Sequence, residues 1–153
     1  MDRQDKVEKS IDGVLLTPLQ SIDVENGNVL HAIKADSSGY CGFGEAYFSI
    51  VEFNAIKAWK RHRKMTLNLI VPVGGIKFVV YDDRKDSLTC HSFQEILLSR
   101  DDNYSRLTVP PLLWVGFQGL TKGDNMLLNV SDIAHNPEEV DRKSLTEINY
   151  NWS

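Results

Sequence analysis

Apolar positions in this chain come in short runs, most of them alternating with polar ones. Glycine, proline, asparagine or aspartate interrupts them roughly every ten residues. A period of two puts successive side chains on opposite faces of an extended chain, so the pattern predicts a succession of half-buried β-strands. They fall at residues 13–19, 29–33, 47–53, 56–63, 67–73, 76–81, 91–99, 105–109, 114–120 and 126–131. The DVENGN stretch at 23–28 carries an Asn-Gly pair and predicts a hairpin ahead of the 29–33 strand. Gly74-Gly75 is read as a second hairpin turn, pairing 67–73 with 76–81, and not as a phosphate loop, because no helix follows it. Residues 93–98 have a helical composition, but their position between strands favours the extended form. After His135 the chain reads as loop with room for one helical turn, ending in a short strand. Without an internal repeat, a low-complexity tract or a linker, the fold class is all-β, a sandwich or barrel, in one domain over residues 1–153.

Composition narrows the function classes. A chain of 153 residues can bury a core without staples, and 42% apolar with 25% charged residues is ordinary for a soluble protein. The net charge of -4 argues against general nucleic-acid binding, which leaves a basic footprint on a whole domain. Cys41 and Cys90 are too few for a disulfide framework or a zinc site, so a reduced, cytoplasmic setting is expected. The polar start MDRQDKVEKS lacks the apolar core of a signal peptide, and no apolar run is long enough to span a bilayer. His31, His62, His91 and His135 stand on separate segments, without the His-x-His pair of a metal cupin, so neither metal nor cofactor is expected.

The densest chemistry lies at residues 56–84, IKAWKRHRKMTLNLIVPVGGIKFVVYDDR. Lys57, Lys60, Arg61, His62, Arg63 and Lys64 form a basic cluster in an acidic protein, followed by two apolar runs. Cations beside an apolar wall suit an anionic, partly hydrophobic small ligand. Lys60 and His62 share one parity along the strand, Lys57, Arg61 and Arg63 the other, so one subset faces a ligand and the other solvent or an interface.

Several segments together resemble the dTDP-4-dehydrorhamnose 3,5-epimerase family. VPPLLWVGFQGL at 109–120 looks like that family's proline, glycine and aromatic segment. LLNVSDIAHNPEEVDR is similar to its following strand and Asn-Pro stretch, GGIKFVVYDDR carries its Asp-x-Arg pattern through Asp82 and Arg84, and EINYNW echoes its C-terminal tryptophan segment. The resemblance implies a jelly-roll cupin, a double-stranded β-helix. It also implies a homodimer that acts on a nucleotide-linked 4-keto-6-deoxy sugar in deoxysugar or surface-polysaccharide synthesis. The family's Arg-Gly-Leu-His motif falls on Lys57, Ala58, Trp59 and Lys60, so lysine replaces the catalytic histidine. Its catalytic tyrosine falls on Asn129, a later active-site tyrosine on His135, a lysine near Leu67 and a second histidine on Val115. The aspartate that orients the histidine has no counterpart in KSLTEINYNW, while Lys57, Ser49 and Arg84 keep the family's character.

Epimerisation beside a ketone needs a base for a carbon-bound proton, a donor to the enolate oxygen and an acid on the opposite face. Lys60 and His62 are the proton-transfer candidates, a crowded lysine being able to lose its proton near neutrality. Asn129 delivers no proton but can hydrogen-bond the sugar. Lys57 and Arg63 are expected on the diphosphate, with Ser49, Arg84, Trp114 and His135 around the substrate. Trp59 and Phe117 suit the core better than a ligand, as aromatics at strand spacing usually do. A binding protein that has kept the jelly roll and lost the chemistry is the rival reading, and the replaced histidine and tyrosine favour it.

Overall fold

The computed structural model describes residues 10–153. Twelve strands follow one another: β1 (Leu15–Pro18), β2 (Ser21–Ile22), β3 (Val29–Leu30), β4 (Glu45–Val51), β5 (Ile56–His62), β6 (Leu67–Val73), β7 (Gly75–Tyr81), β8 (Phe93–Ser99), β9 (Ser105–Val109), β10 (Trp114–Gly119), β11 (Asn125–Ser131) and β12 (Val140–Arg142). One 3-10 turn, Pro137–Glu139, precedes β12, and Asn136 caps it by accepting a hydrogen bond from the Glu138 amide. Two five-stranded sheets, ordered β1-β9-β6-β11-β4 and β12-β5-β10-β7-β8, face each other, with β2 and β3 forming the hairpin foreseen at the Asn-Gly turn. This is the antiparallel jelly roll that the resemblance implied. Residues 93–98 are extended, as their position suggested.

Alternation explains where the core sits. Leu67, Leu69 and Val71 of β6 meet Ile76, Phe78 and Val80 of β7, with Ile96, Leu98, Leu107, Val109 and Leu127 filling the space between the sheets. On the second sheet the intervening positions of β5, β10 and β7 are also covered, while Glu95 and Leu97 of β8 face water. Trp59, Val79 and Trp114 point outward and are covered by Ile148 and Trp152 of the C-terminal segment, a second apolar cluster. Gly116 makes that cover possible, because a Cβ there would come within 3.1 Å of the Trp152 ring and 2.7 Å of the Ala58 Cβ.

Two expectations need correction. Strands β6 and β7 do not pair: β6 lies between β9 and β11, while β7 lies between β10 and β8. Gly74-Gly75 is therefore a corner between sheets. Gly74 has a φ of 72°, and a Cβ on it would sit 2.4 Å from the Asp124 carbonyl oxygen, so only glycine fits the bend. Asn125 holds the corner by accepting from the Gly75 amide at 3.0 Å and donating to the Val51 carbonyl at 3.1 Å. The late strand also does not end the chain: it lies at 140–142, paired with β5, and the residues after it cap the outer face of the second sheet irregularly.

Candidate functional site

Near the start of β6 the two sheets part to form a cavity of about 480 Å³. Its floor is apolar, made by Met65, Leu67, Leu69, Val115, Phe117 and Leu127. One wall belongs to β5 and β12, with Lys57, Lys60, His62 and Arg142; the opposite wall belongs to β4 and β11, with Glu45, Tyr47, Ser49 and Asn129. His135 and Lys143 stand at the rim. A more open depression of about 840 Å³ lies at the other end of β6, over Val73, Leu97 and Asn103, and gathers none of the predicted site residues.

A bulge in β5 decides which cations enter. Across from it, Val115 pairs with Lys60 and Phe117 with Lys57, so Ala58 and Trp59 together oppose the single residue Gly116. The extra residue resets the alternation, and Lys57 joins Lys60 and His62 on the cavity side. Simple parity had placed Lys57 with Arg61 and Arg63. Those two arginines are spent elsewhere. The Arg61 guanidinium lies 4.7 Å over the Trp114 ring and donates to Asp141 at 2.9 Å, while Arg63 reaches the Glu138 carbonyl at 2.6 Å.

Six of the nine predicted site residues meet in the cavity: Lys57, Lys60, His62, Ser49, Asn129 and His135. Arg63, Arg84 and Trp114 do not. Arg63 is half exposed beside Asp141, outside the cavity. Arg84 is consumed by the buried Asp82, to which its Nε donates at 2.9 Å. Trp114 faces outward beneath the C-terminal segment and donates its indole N–H to Asp83 at 2.9 Å. Trp59 is likewise a buried member of that outer cluster.

The structure adds a residue that the sequence did not single out. Glu139 is 4% exposed and its Oε1 lies 2.5 Å from Nδ1 of His62, while Oε2 accepts from the amides of Lys64 at 3.0 Å and Met65 at 3.2 Å. Burial alone would raise this carboxyl, but the hydrogen bonds from His62 and the two amides outweigh it and hold Glu139 below the usual carboxylate range. A charged carboxylate on Nδ1 fixes the ring and leaves Nε2 as the free nitrogen, the arrangement that makes imidazole a base. The cap that starts the 3-10 turn and the pairing of Val140 with His62 deliver it. Arg142, paired with Lys60, was also missed, since its partner strand could not be read from its own residues. Partial burial lowers the Lys60 ammonium pKa, and the nearby charges of Arg142 and Lys57 add to that. Among the described residues, no three His, Cys, Asp or Glu side chains come together as a metal site.

A dTDP sugar isomerase from Desulfovibrio desulfuricans G20 superimposes on the chain with a TM-score of 0.86 at 40% identity, over 89% of the chain and 87% of the isomerase. The chain belongs to its family, the nucleotide-sugar epimerases and isomerases of the dTDP-4-dehydrorhamnose 3,5-epimerase type. A dTDP-4-dehydrorhamnose 3,5-epimerase from Elizabethkingia anophelis NUHP1 shares the fold at 15% identity, with a TM-score of 0.79 over 95% of the chain and 84% of the epimerase. The spore coat polysaccharide biosynthesis protein SpsL of Bacillus subtilis (strain 168) is 26% identical over 147 residues, covering 94% of the chain and 97% of SpsL. No family model matches the chain. No helix of the described residues is long and apolar enough to cross a membrane.

Proposed function

We propose that this protein isomerises a dTDP-linked 4-keto-6-deoxy sugar by removing a proton from a carbon next to the ketone. The His62–Glu139 pair carries the reading: a histidine on the cavity wall with a buried carboxylate fixing its Nδ1. A binding protein without chemistry has no use for an oriented base, which argues against the rival. His62 takes the proton on Nε2, and Glu139 stabilises the imidazolium that forms. Lys60 stands on the same wall as a donor to the developing enolate oxygen, and Asn129 contacts the sugar from across the cavity. Lys57 and Arg142 flank Lys60 and meet the diphosphate, a role that Arg63 and Arg84 are not positioned to take.

The same reading assigns the activity to one domain working as a homodimer in the cytoplasm. Strand β4 supports the dimer, since it ends its sheet and exposes Phe48 and Ile50. Both cysteines are free thiols, which suits a reducing compartment. Incubation with dTDP-4-keto-6-deoxyglucose in deuterated water tests the activity. Deuterium should enter C3 or C5, read by NMR and mass spectrometry. Tight binding with no deuterium in this or related dTDP keto sugars would refute it.

A further inference from the structure

The histidine wall provides one half of an epimerisation; the other half needs a proton donor on the opposite face. The family position for it holds Asn129, which cannot supply a proton. Its cross-strand neighbour can. Tyr47 pairs with Asn129 between β4 and β11, both side chains line the cavity, and Asn129 Nδ2 donates to Tyr47 Oη at 3.1 Å. We propose that Tyr47 is the catalytic acid of the β4–β11 wall and that Asn129 is its positioning residue. This rests on the proton-abstraction reading above.

The hydrogen-bond directions support the assignment. Asn129 donates to both Tyr47 and Ser131, the latter at 3.0 Å, so the Tyr47 oxygen acts as acceptor and its own proton is left for the cavity. The same amide N–H meets the negative charge left on that oxygen when the proton leaves. Asn129 is 1% exposed, and its Oδ1 is buried without a partner among the described residues. A buried acceptor left unpaired costs stability unless a ligand supplies the donor, and a sugar hydroxyl is such a donor. Tyr47 is 45% exposed at the cavity mouth, where a phenolate recovers its proton from water.

The step balances without a co-reactant. His62 Nε2 removes the proton from the carbon beside the ketone; the C–H electrons form a carbon–carbon double bond, and the ketone becomes an enolate. Tyr47 gives its proton to that carbon from the other face, the enolate returns to ketone, and solvent resets the imidazolium and the phenolate.

Tyr47→Phe separates the two halves in deuterated water. Wash-in of deuterium with retained configuration should persist near the wild-type rate, because His62 still removes and returns a proton. Formation of the epimer should fall by about 100-fold or more. Circular dichroism and dTDP binding should match the wild type. Wild-type epimer formation by the variant would overturn the role of Tyr47 alone, as would joint loss of wash-in and epimer in a folded, dTDP-binding variant. A wild-type protein that incorporates no deuterium would overturn the functional reading and this proposal with it.

Discussion

Two clusters of charge lie close in sequence and behave in opposite ways. Around Asp82 the carboxylates are paired, Asp82 with Arg84 and Asp83 with Arg61. The Asp82 carboxylate is fully buried and accepts from Arg84 at 2.9 Å, Ser87 at 2.6 Å and Thr89 at 2.7 Å. Around Lys60 the cations have no carboxylate partner among the described residues: Lys57, Lys60 and Arg142 share one wall, Lys57 donates only to the Ile50 carbonyl at 3.1 Å, and Glu139 is committed to His62. Placing like charges together costs stability, and a closed network recovers that cost only within itself. The Asp82 cluster therefore fixes the loop after β7, whereas the β5–β12 wall leaves its field open to the cavity.

The largest test of this contrast lies on the open side. His62→Asn should reduce turnover about 1,000-fold, about 4 kcal/mol of transition-state stabilisation, in the protein that remains folded. Unaltered turnover in steady-state assays would remove His62 from the chemistry. On the closed side, Asp82→Asn should cost about 3 kcal/mol in denaturant titrations, because it leaves Arg84 without its partner. What remains folded should keep its activity.

The pH dependence of that loss has a definite sign. Burial opposes ionisation of Asp82, but Arg84, Ser87 and Thr89 outweigh it and hold the carboxyl far below its usual range. A folded pKa below the unfolded one means that the contribution is present above about pH 4 and fades as the pH falls towards the folded value. Wild type and Asp82→Asn should converge in stability in acid. A constant gap down to the acid transition would contradict the network's role.

The smallest effects come from two arginines, one in the cavity and one outside it. Arg142→Ala should raise KM for the dTDP sugar about tenfold, about 1.4 kcal/mol, with kcat less affected. Arg63→Ala should change stability by no more than about 0.5 kcal/mol and KM hardly at all, since Arg63 is 52% exposed beside Asp141. Equal KM effects from the two would abolish the distinction between cavity and surface cations.

Local alternation was enough to place the long strands, though not β2 or β12. Residues 67–73 and 105–109 are β6 and β9 with the predicted ends, because apolar runs between turn residues have one stable solution. Partners were harder. The Gly74-Gly75 hairpin was wrong because a turn and a sheet-switching corner need the same residue types, and only the packing of β6 and β7 into different sheets separates them. At the site, Lys60 and His62 were legible from their shared parity, but Lys57 needed the bulge opposite Gly116, which leaves no mark in the residues of β5. Glu139 was missed for a related reason. It lies 77 residues from His62 along the chain, and only the pairing of β12 with β5 makes them neighbours. Trp114 was misplaced because the outer face of the second sheet, read as solvent-facing, is roofed by Ile148 and Trp152.

Strand β5 is held from two sides by a single late stretch of chain. Glu139 and Arg142 approach it on the cavity side, and Trp152 packs on Trp59 at 5.4 Å between ring centroids on the other. The consequence is one of timing. A nascent chain that had reached residue 131 would already contain every strand of the apolar floor, yet its histidine would lack its tether. The tether of His62 therefore forms only after residues 139–142 have joined the sheet.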